Sequence, residues 1–256
     1  MKAFCVQWDV AWEDRAANFA KARSLLAGVE PGSLVLLPEM FSTGFSMNVA
    51  GVCEGPSRPA ECFLAERARE LRASVLAGVV SLAPDGRGRN QAVLIAPDGS
   101  EIARYTKMHP FSYAGEADHY VAGDRPVVAQ VGETRLSPFV CYDLRFPEVF
   151  RIATAGGAEV LAVLANWPEA RQGHWRTLLR ARAIENQAYV LGVNRCGADP
   201  NVTYAGGSLI VDPQGTVVAE AGGEEGTIGA ELDLQALREY RREFPVLRDM
   251  REGLVR

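Results

Sequence analysis

Phe139-Val140-Cys141-Tyr142-Asp143-Leu144-Arg145-Phe146-Pro147-Glu148 is the stretch whose reading decides the fold. The run Arg135 to Val140, mostly apolar, reads as a buried strand that stops at a cysteine, and Pro147 suits the first position of a helix. A thiol therefore stands on a strand-to-helix corner. Such a corner projects a side chain beyond the carboxyl end of a strand, where open α/β sheets bind ligands, and leaves the next backbone N–H groups free to hold an oxyanion. The helix that follows is expected to lower the thiol pKa. Taken alone, Cys141 is equally compatible with a small buried hydrophobe, the usual fate of a free cysteine.

Outward from this corner the order of elements repeats. The first half reads as strand Ala3 to Gln7, helix Arg15 to Ala27, strand Leu34 to Leu37, helix Ala60 to Arg72, strand Val75 to Val80, then a hairpin of Gln91 to Ala96 and Glu101 to Tyr105. The second half reads as strand Arg135 to Val140, helix Glu148 to Ala155, strand Val160 to Leu164, helix His174 to Gln187, strand Tyr189 to Asn194, and a hairpin of Ser208 to Val211 and Thr216 to Ala219. Pro97-Asp98-Gly99 matches Pro213-Gln214-Gly215, and Leu76-Ala77-Gly78-Val79 matches Val190-Leu191-Gly192-Val193, at nearly the same offset. Amphipathic helices and near-continuous apolar strands predict an α/β fold in which two mixed sheets pack together with helices outside.

With 256 residues, 48% of them hydrophobic, and a net charge of −5, the chain suits one large α/β domain over 1-256 built of two fused halves. The acidic balance and the lack of a clear Lys/Arg stripe argue against nucleic acid as a partner. The first residues run directly into a strand pattern, so neither a secretion signal nor a membrane span is expected, and a cytoplasmic location follows. Cys5, Cys53, Cys62, Cys141 and Cys196 form no C-x-x-C pair and read as reduced thiols. His109, His119 and His174 lack ligand spacing, so no metal site is expected.

Three reactive side chains fall just past strand ends: Glu39 after Leu34-Val35-Leu36-Leu37-Pro38, Lys107 with Thr106 after Glu101 to Tyr105, and Cys141 after Val140. Singly, Glu39 and Lys107 read as exposed charges, the common case. Together they supply what acyl transfer by a thiol requires: a base for its proton, a cation for the developing oxyanion, and an acid route for the leaving amine.

Pro38-Glu39 after an apolar strand, Tyr105-Thr106-Lys107-Met108-His109 and Cys141-Tyr142-Asp143-Leu144-Arg145-Phe146-Pro147-Glu148 resemble the three signatures of the nitrilase superfamily of carbon-nitrogen hydrolases. Ala181 to Tyr189, Gly206 to Gly215 and Arg241 to Arg248 extend the resemblance over nearly the whole chain. It implies a pseudo-symmetric αββα sandwich with Glu39 as general base, Lys107 as oxyanion stabiliser and Cys141 as nucleophile. Glu116 fits a second family glutamate that orients Lys107 or the substrate. The backbone N–H of Tyr142 would join Lys107 at the oxyanion, water would hydrolyse a thioester on Cys141, and neither a metal nor an organic cofactor would take part. The family also implies a homodimer or larger assembly, with the tail Gln235 to Arg256 reaching a neighbour.

Asn166-Trp167-Pro168, Arg171 and His174-Trp175 follow the strand that echoes the one before Glu39, and so should border the same pocket. With Pro38-Glu39-Met40-Phe41 and Gly44-Phe45 they are most similar to the omega-amidase branch, which implies a terminal amide of 2-oxoglutaramate or 2-oxosuccinamate as substrate. Trp167, Asn166 and Phe45 are the expected pocket walls, and Arg171 the cation for the distal carboxylate. Arg145 is read instead as a structural partner of Asp143 or Glu148, and His109 and His174 as structural. Phe41 and Phe111 read as pocket or core. Another amidase of the superfamily, an N-carbamoyl amino acid hydrolase, or a catalytically silent scaffold are the competing readings.

Overall fold

Strand β1 (Lys2–Gln7) sends Ala3 and Cys5 to one layer and Phe4 and Val6 to another, as the two-residue period of a strand requires. The structure, a computed structural model, describes residues 1–251. Helix α1 (Arg15–Leu25), capped by the Asp14 carboxylate, leads to β2 (Leu34–Leu36). The single turn α2 (Val49–Val52) precedes α3 (Pro59–Leu71), which starts on its proline. Then come β3 (Ser74–Leu82), β4 (Gly88–Ile95), β5 (Glu101–Thr106) and the one-turn α4 (Glu116–His119).

The second half runs β6 (Ala129–Val131), β7 (Thr134–Val140), α5 (Pro147–Ala155), β8 (Val160–Ala165), α6 (Gln172–Asn186) and β9 (Tyr189–Asn194). A small hairpin, β10 (Cys196–Ala198) with β11 (Thr203–Ala205), interrupts it before β12 (Leu209–Val211), β13 (Val217–Glu220), β14 (Gly226–Glu231) and α7 (Leu234–Glu243).

One sheet has the order β14-β1-β2-β3-β4-β5 and the other β6-β7-β8-β9-β12-β13. In each, the second, third and fourth strands are parallel and the rest antiparallel, so the duplication read from the sequence is a duplication of topology. Leu34, Leu36, Leu76 and Leu94 of the first sheet share one core with Leu136, Val140 and Leu161 of the second. On the outer face Val35, Leu37, Val75 and Ala77 meet Ala22, Phe63 and Leu64 of α1 and α3. Each fully buried leucine or valine contributes about 1.5–3 kcal/mol relative to an exposed one.

The αββα sandwich with outer helices agrees with the expectation. Strands β6, β10, β11 and β14 were not anticipated; Gly226-Thr227-Ile228-Gly229-Ala230-Glu231 carries too few apolar residues to signal a strand, and it forms because β1 offers a free edge. Within the described residues the tail docks on its own chain: the Arg241 guanidinium donates to the Gln187 and Ala158 carbonyls, each at 2.9 Å. The remainder of the tail expected to reach a neighbour, residues 252–256, lies outside the described residues. Among those described, no helix is long and apolar enough to cross a membrane.

Candidate active site

Beyond β2 the chain keeps pairing with β3, with Leu37 N–H donating to Leu76 O at 2.9 Å and Gly78 N–H to Pro38 O at 3.1 Å, and this carries Glu39 into the interior. Gly78 permits the approach: a Cβ there would lie 2.5 Å from the Glu39 Cα and closer still to Met40 N. Gly78→Ala is therefore expected to lower stability by about 1–3 kcal/mol, read by denaturant unfolding. Because the backbone of Glu39 must move, turnover of the folded variant should drop by on the order of 10²-fold.

Lys107 follows β5, its N–H donating to Asn90 O at 2.9 Å. Its buried ammonium donates to Glu39 Oε1 at 3.0 Å and Glu116 Oε2 at 2.8 Å, and stands 5.3 Å from the centre of the Phe45 ring. Asn90 Nδ2 bridges the same two carboxylates, at 2.7 Å from Glu39 Oε1 and 2.9 Å from Glu116 Oε1. Burial opposes the charge on Lys107, but the carboxylates of Glu116 and Glu39 outweigh it and raise the ammonium pKa. Lys107 thus stays a cation, with a third N–H beyond the two given to the carboxylates. Glu116 also accepts from Phe111 N–H at 2.5 Å, which ties the loop after Lys107 to the same cluster.

Cys141 closes β7 at a positive φ of 46°, a strained position for a residue with a side chain. A 3-10 turn, Cys141–Arg145, follows, and the N–H groups of its first residues have no partner within the turn. The thiol, on a residue 8% exposed, lies 3.9 Å from the Asn166 carbonyl. Its pKa is raised, first by burial and then by the Glu39 charge, which Lys107 offsets only in part. This reverses the lowering expected from the following helix: α5 begins only at Pro147, beyond the 3-10 turn.

The thiol opens on a cavity of about 450 Å³ that also has Phe45, Tyr142, Asn166, Trp167 and Arg171 on its wall. Glu39, Lys107 and Glu116 are buried rather than on that wall. Asn166, expected to contact substrate, turns its amide to the candidate base. Its Nδ2 donates to Glu39 O at 2.8 Å and Oε2 at 3.2 Å, and its N–H to Oε2 at 2.9 Å. The Trp167 indole donates to Arg171 O at 2.9 Å, and the Arg171 guanidinium stands over Phe111 and Tyr113.

The ion pair expected for Arg145 is not formed. Its guanidinium lies 4.8 Å from the centre of the Trp167 ring, and its Nη2 is 3.3 Å from His174 Nδ1. The 3-10 turn aims it into the cavity, and Asp143 is engaged by Tyr105 and His109. Phe41 is core, against Trp8 and Phe63, whereas Phe111 lines the cavity. Sequence reasoning missed Asn90, whose one signal was a polar pair, Asn90-Gln91, entering an apolar strand. It also missed Tyr204, brought to the wall by the β10–β11 hairpin.

A thiol, a carboxylate and an ammonium at three strand ends, with an aromatic cavity before them, can perform acyl transfer. Residues 2–242 match the carbon-nitrogen hydrolase family. The chain is 42% identical to omega-amidase YafV of Yersinia enterocolitica, over all of this chain and 98% of that one. It is 36% identical to 2-oxoglutaramate amidase of Bacillus subtilis, over 98% and 97% of the two. The crystal structure of XC1258 from Xanthomonas campestris, a CN-hydrolase superfamily protein with an arsenic adduct in its active site, superposes with a TM-score of 0.91 at 33% identity, over 98% of this chain and 97% of that one. Fold, site and sequence agree, and the chain belongs to the carbon-nitrogen hydrolases, enzymes that cleave carbon-nitrogen bonds other than peptide bonds.

Proposed function

We propose that this protein is an omega-amidase that hydrolyses the terminal amide of a small keto acid, such as 2-oxoglutaramate or 2-oxosuccinamate, to ammonia and a dicarboxylate. The observation that carries the reading is a cavity, lined also by Glu13 and Asp199, that is walled by the thiol of Cys141 and by two guanidinium groups, Arg145 and Arg171, neither in an ion pair among the described residues. An amide at the thiol leaves its distal carboxylate for a guanidinium, which binds it in two hydrogen bonds. Full-length similarity to omega-amidases and 2-oxoglutaramate amidases supports the same substrate class.

Glu39 takes the thiol proton as the sulfur attacks the amide carbon, and the displaced electron pair becomes an oxyanion held by the third N–H of Lys107 and the backbone N–H of Tyr142. Glu39 already accepts four hydrogen bonds, and the longest, from Asn166 Nδ2 at 3.2 Å, is the one the proton displaces. Collapse breaks the carbon-nitrogen bond, and the proton leaves with ammonia. Water then gives a proton to Glu39, attacks the thioester and releases the acid, and the proton returns to sulfur. Glu116 holds Lys107 in place.

The test is ammonia release from 2-oxoglutaramate beside L-glutamine and an N-carbamoyl amino acid. Preference for the keto amide by about 10²-fold or more in kcat/KM supports the reading, whereas faster release of ammonia with carbon dioxide from the carbamoyl compound sinks it. Arg145→Met and Arg171→Met locate the carboxylate: the variant that loses the charged contact should raise KM by about 10–100-fold with kcat little changed.

A further inference from the structure

Lys107 and Cys141 belong to different sheets, so their spacing depends on how the two layers seat on each other. Apolar packing between sheets gives adhesion but little register along the layer. Beside the Asn166 contacts to Glu39, a second buried polar group crosses the interface next to Lys107. Asp143, fully buried, accepts from Tyr105 Oη at 2.7 Å and Val140 N–H at 3.0 Å through Oδ2, and from His109 N–H at 3.0 Å through Oδ1, which is also 2.8 Å from His109 Nδ1. All four acceptor positions of the carboxylate are used.

The partners bracket the two reactive residues. Tyr105 and His109 stand two residues before and after Lys107, while Val140 immediately precedes Cys141. Tyr105 Oη also accepts from Met108 N–H at 3.2 Å, closing the turn after the lysine. The His109 ring stacks on Phe146, with centroids 3.8 Å apart and planes 8° from parallel, which pins it against the turn that carries Cys141. The bond to Val140 N–H restrains the residue next to the left-handed Cys141.

We infer that Asp143 is a positioning residue: its carboxylate clamps the Lys107 turn to the Cys141 turn across the two sheets and sets the ammonium at its working distance from the thiol and the oxyanion. The inference rests on the reading of Lys107 and Cys141 as the catalytic pair. A carboxamide cannot replace the carboxylate, because whichever way it turns, its NH2 meets the backbone N–H of either Val140 or His109, donor against donor.

Asp143→Asn tests this. Turnover of whichever amide the wild type hydrolyses should fall by on the order of 10²-fold with KM within about threefold, since binding contacts on the cavity wall are untouched. A second readout needs no substrate. The rate of Cys141 alkylation by acrylamide is followed against pH, and its midpoint should move up by about half a unit or more as the ammonium draws back from the thiol. Loss of mere packing support would lower the fraction folded without moving that midpoint. Folded Asp143→Asn with wild-type kcat, or with an unmoved alkylation midpoint, overturns the inference. Should that variant not fold, Tyr105→Phe removes a single arm of the clamp and carries the same two readouts, with a fall in kcat of about 3–10-fold. An amide substrate that fails in the wild type leaves the alkylation profile to decide, so failure of the substrate reading stays separate from failure of the clamp.

Discussion

Replacing Cys141 with alanine is expected to lower kcat for amide hydrolysis by on the order of 10⁴-fold or more, while the protein stays folded. The thiol is the group on the cavity wall that can bond covalently to a carbonyl in the proposed mechanism, and nothing beside it substitutes for sulfur. Glu39 could still direct a water, but without the thioester the hard step is no longer divided. Cys141→Ser should be nearly as inactive, because a hydroxyl is a far weaker acid for Glu39 to deprotonate. Alanine keeps the left-handed backbone and removes one small buried group, so unfolding should move by only about 1 kcal/mol. Because the folded thiol pKa is raised, Cys141 contributes stability that is present below the ordinary thiol value of about 8.5 and is lost as pH rises toward the folded value. Alanine should remove that share of the alkaline decline, leaving the shares from Cys5, Cys196 and buried tyrosines such as Tyr105, all raised by burial. Ammonia release above about 1% of wild type by the alanine variant would refute the covalent route.

The parts of this molecule most legible in its sequence were those with local causes. Most strands of the repeated halves announced themselves by near-continuous apolar runs, and the turn chemistry of Pro97-Asp98-Gly99 and Pro213-Gln214-Gly215 marked the two hairpins. Because the echo preserved order, it predicted that the segment after β8 would border the same pocket as Glu39, and Asn166 lines the cavity while its N–H donates to the Glu39 carboxylate. The placement of Glu39, Lys107 and Cys141 just past strand ends was legible because strand ends are where an α/β sheet presents side chains.

What stayed hidden depended on partners distant in sequence. β14 is a strand only because β1 needs an edge partner, and Asn90 matters only because Glu39 and Glu116 close around it. Arg145 was assigned an ion pair because helical spacing places Asp143 and Glu148 nearby. The 3-10 turn breaks that spacing and Asp143 is committed across the interface. The thiol pKa was misjudged for a related reason: a helix dipole is local and readable, whereas burial beside Glu39 is tertiary.

Lys107→Met is expected to have the largest effect on the fold, with a smaller one on the chemistry than loss of the thiol. Two carboxylates, Glu39 and Glu116, flank one ammonium in a site with no exposed charge, and methionine fills the same volume without neutralising either. Removing one partner from a buried ionic cluster typically costs about 3–5 kcal/mol, and loss of the oxyanion contact should lower kcat by a further 10²–10³-fold, on the order found for single donors. The pH dependence separates this from a simple packing defect. In the wild type the raised ammonium pKa makes its contribution whole at every pH below about 10.4, fading only above that, so Lys107 adds no slope near neutrality. In the variant, burial and mutual repulsion must raise at least one carboxyl pKa. Stability is then retained below the ordinary glutamate value of about 4.3 and falls as pH rises through the raised one. Thermal unfolding measured from acid to neutral pH should therefore show the variant losing ground steadily against the wild type. Adding Glu116→Gln, which removes one of the opposed charges, should restore part of the loss at neutral pH and flatten the slope. A Lys107→Met protein as stable as the wild type at pH 8, with no slope to correct, would mean that the lysine does not hold this cluster together.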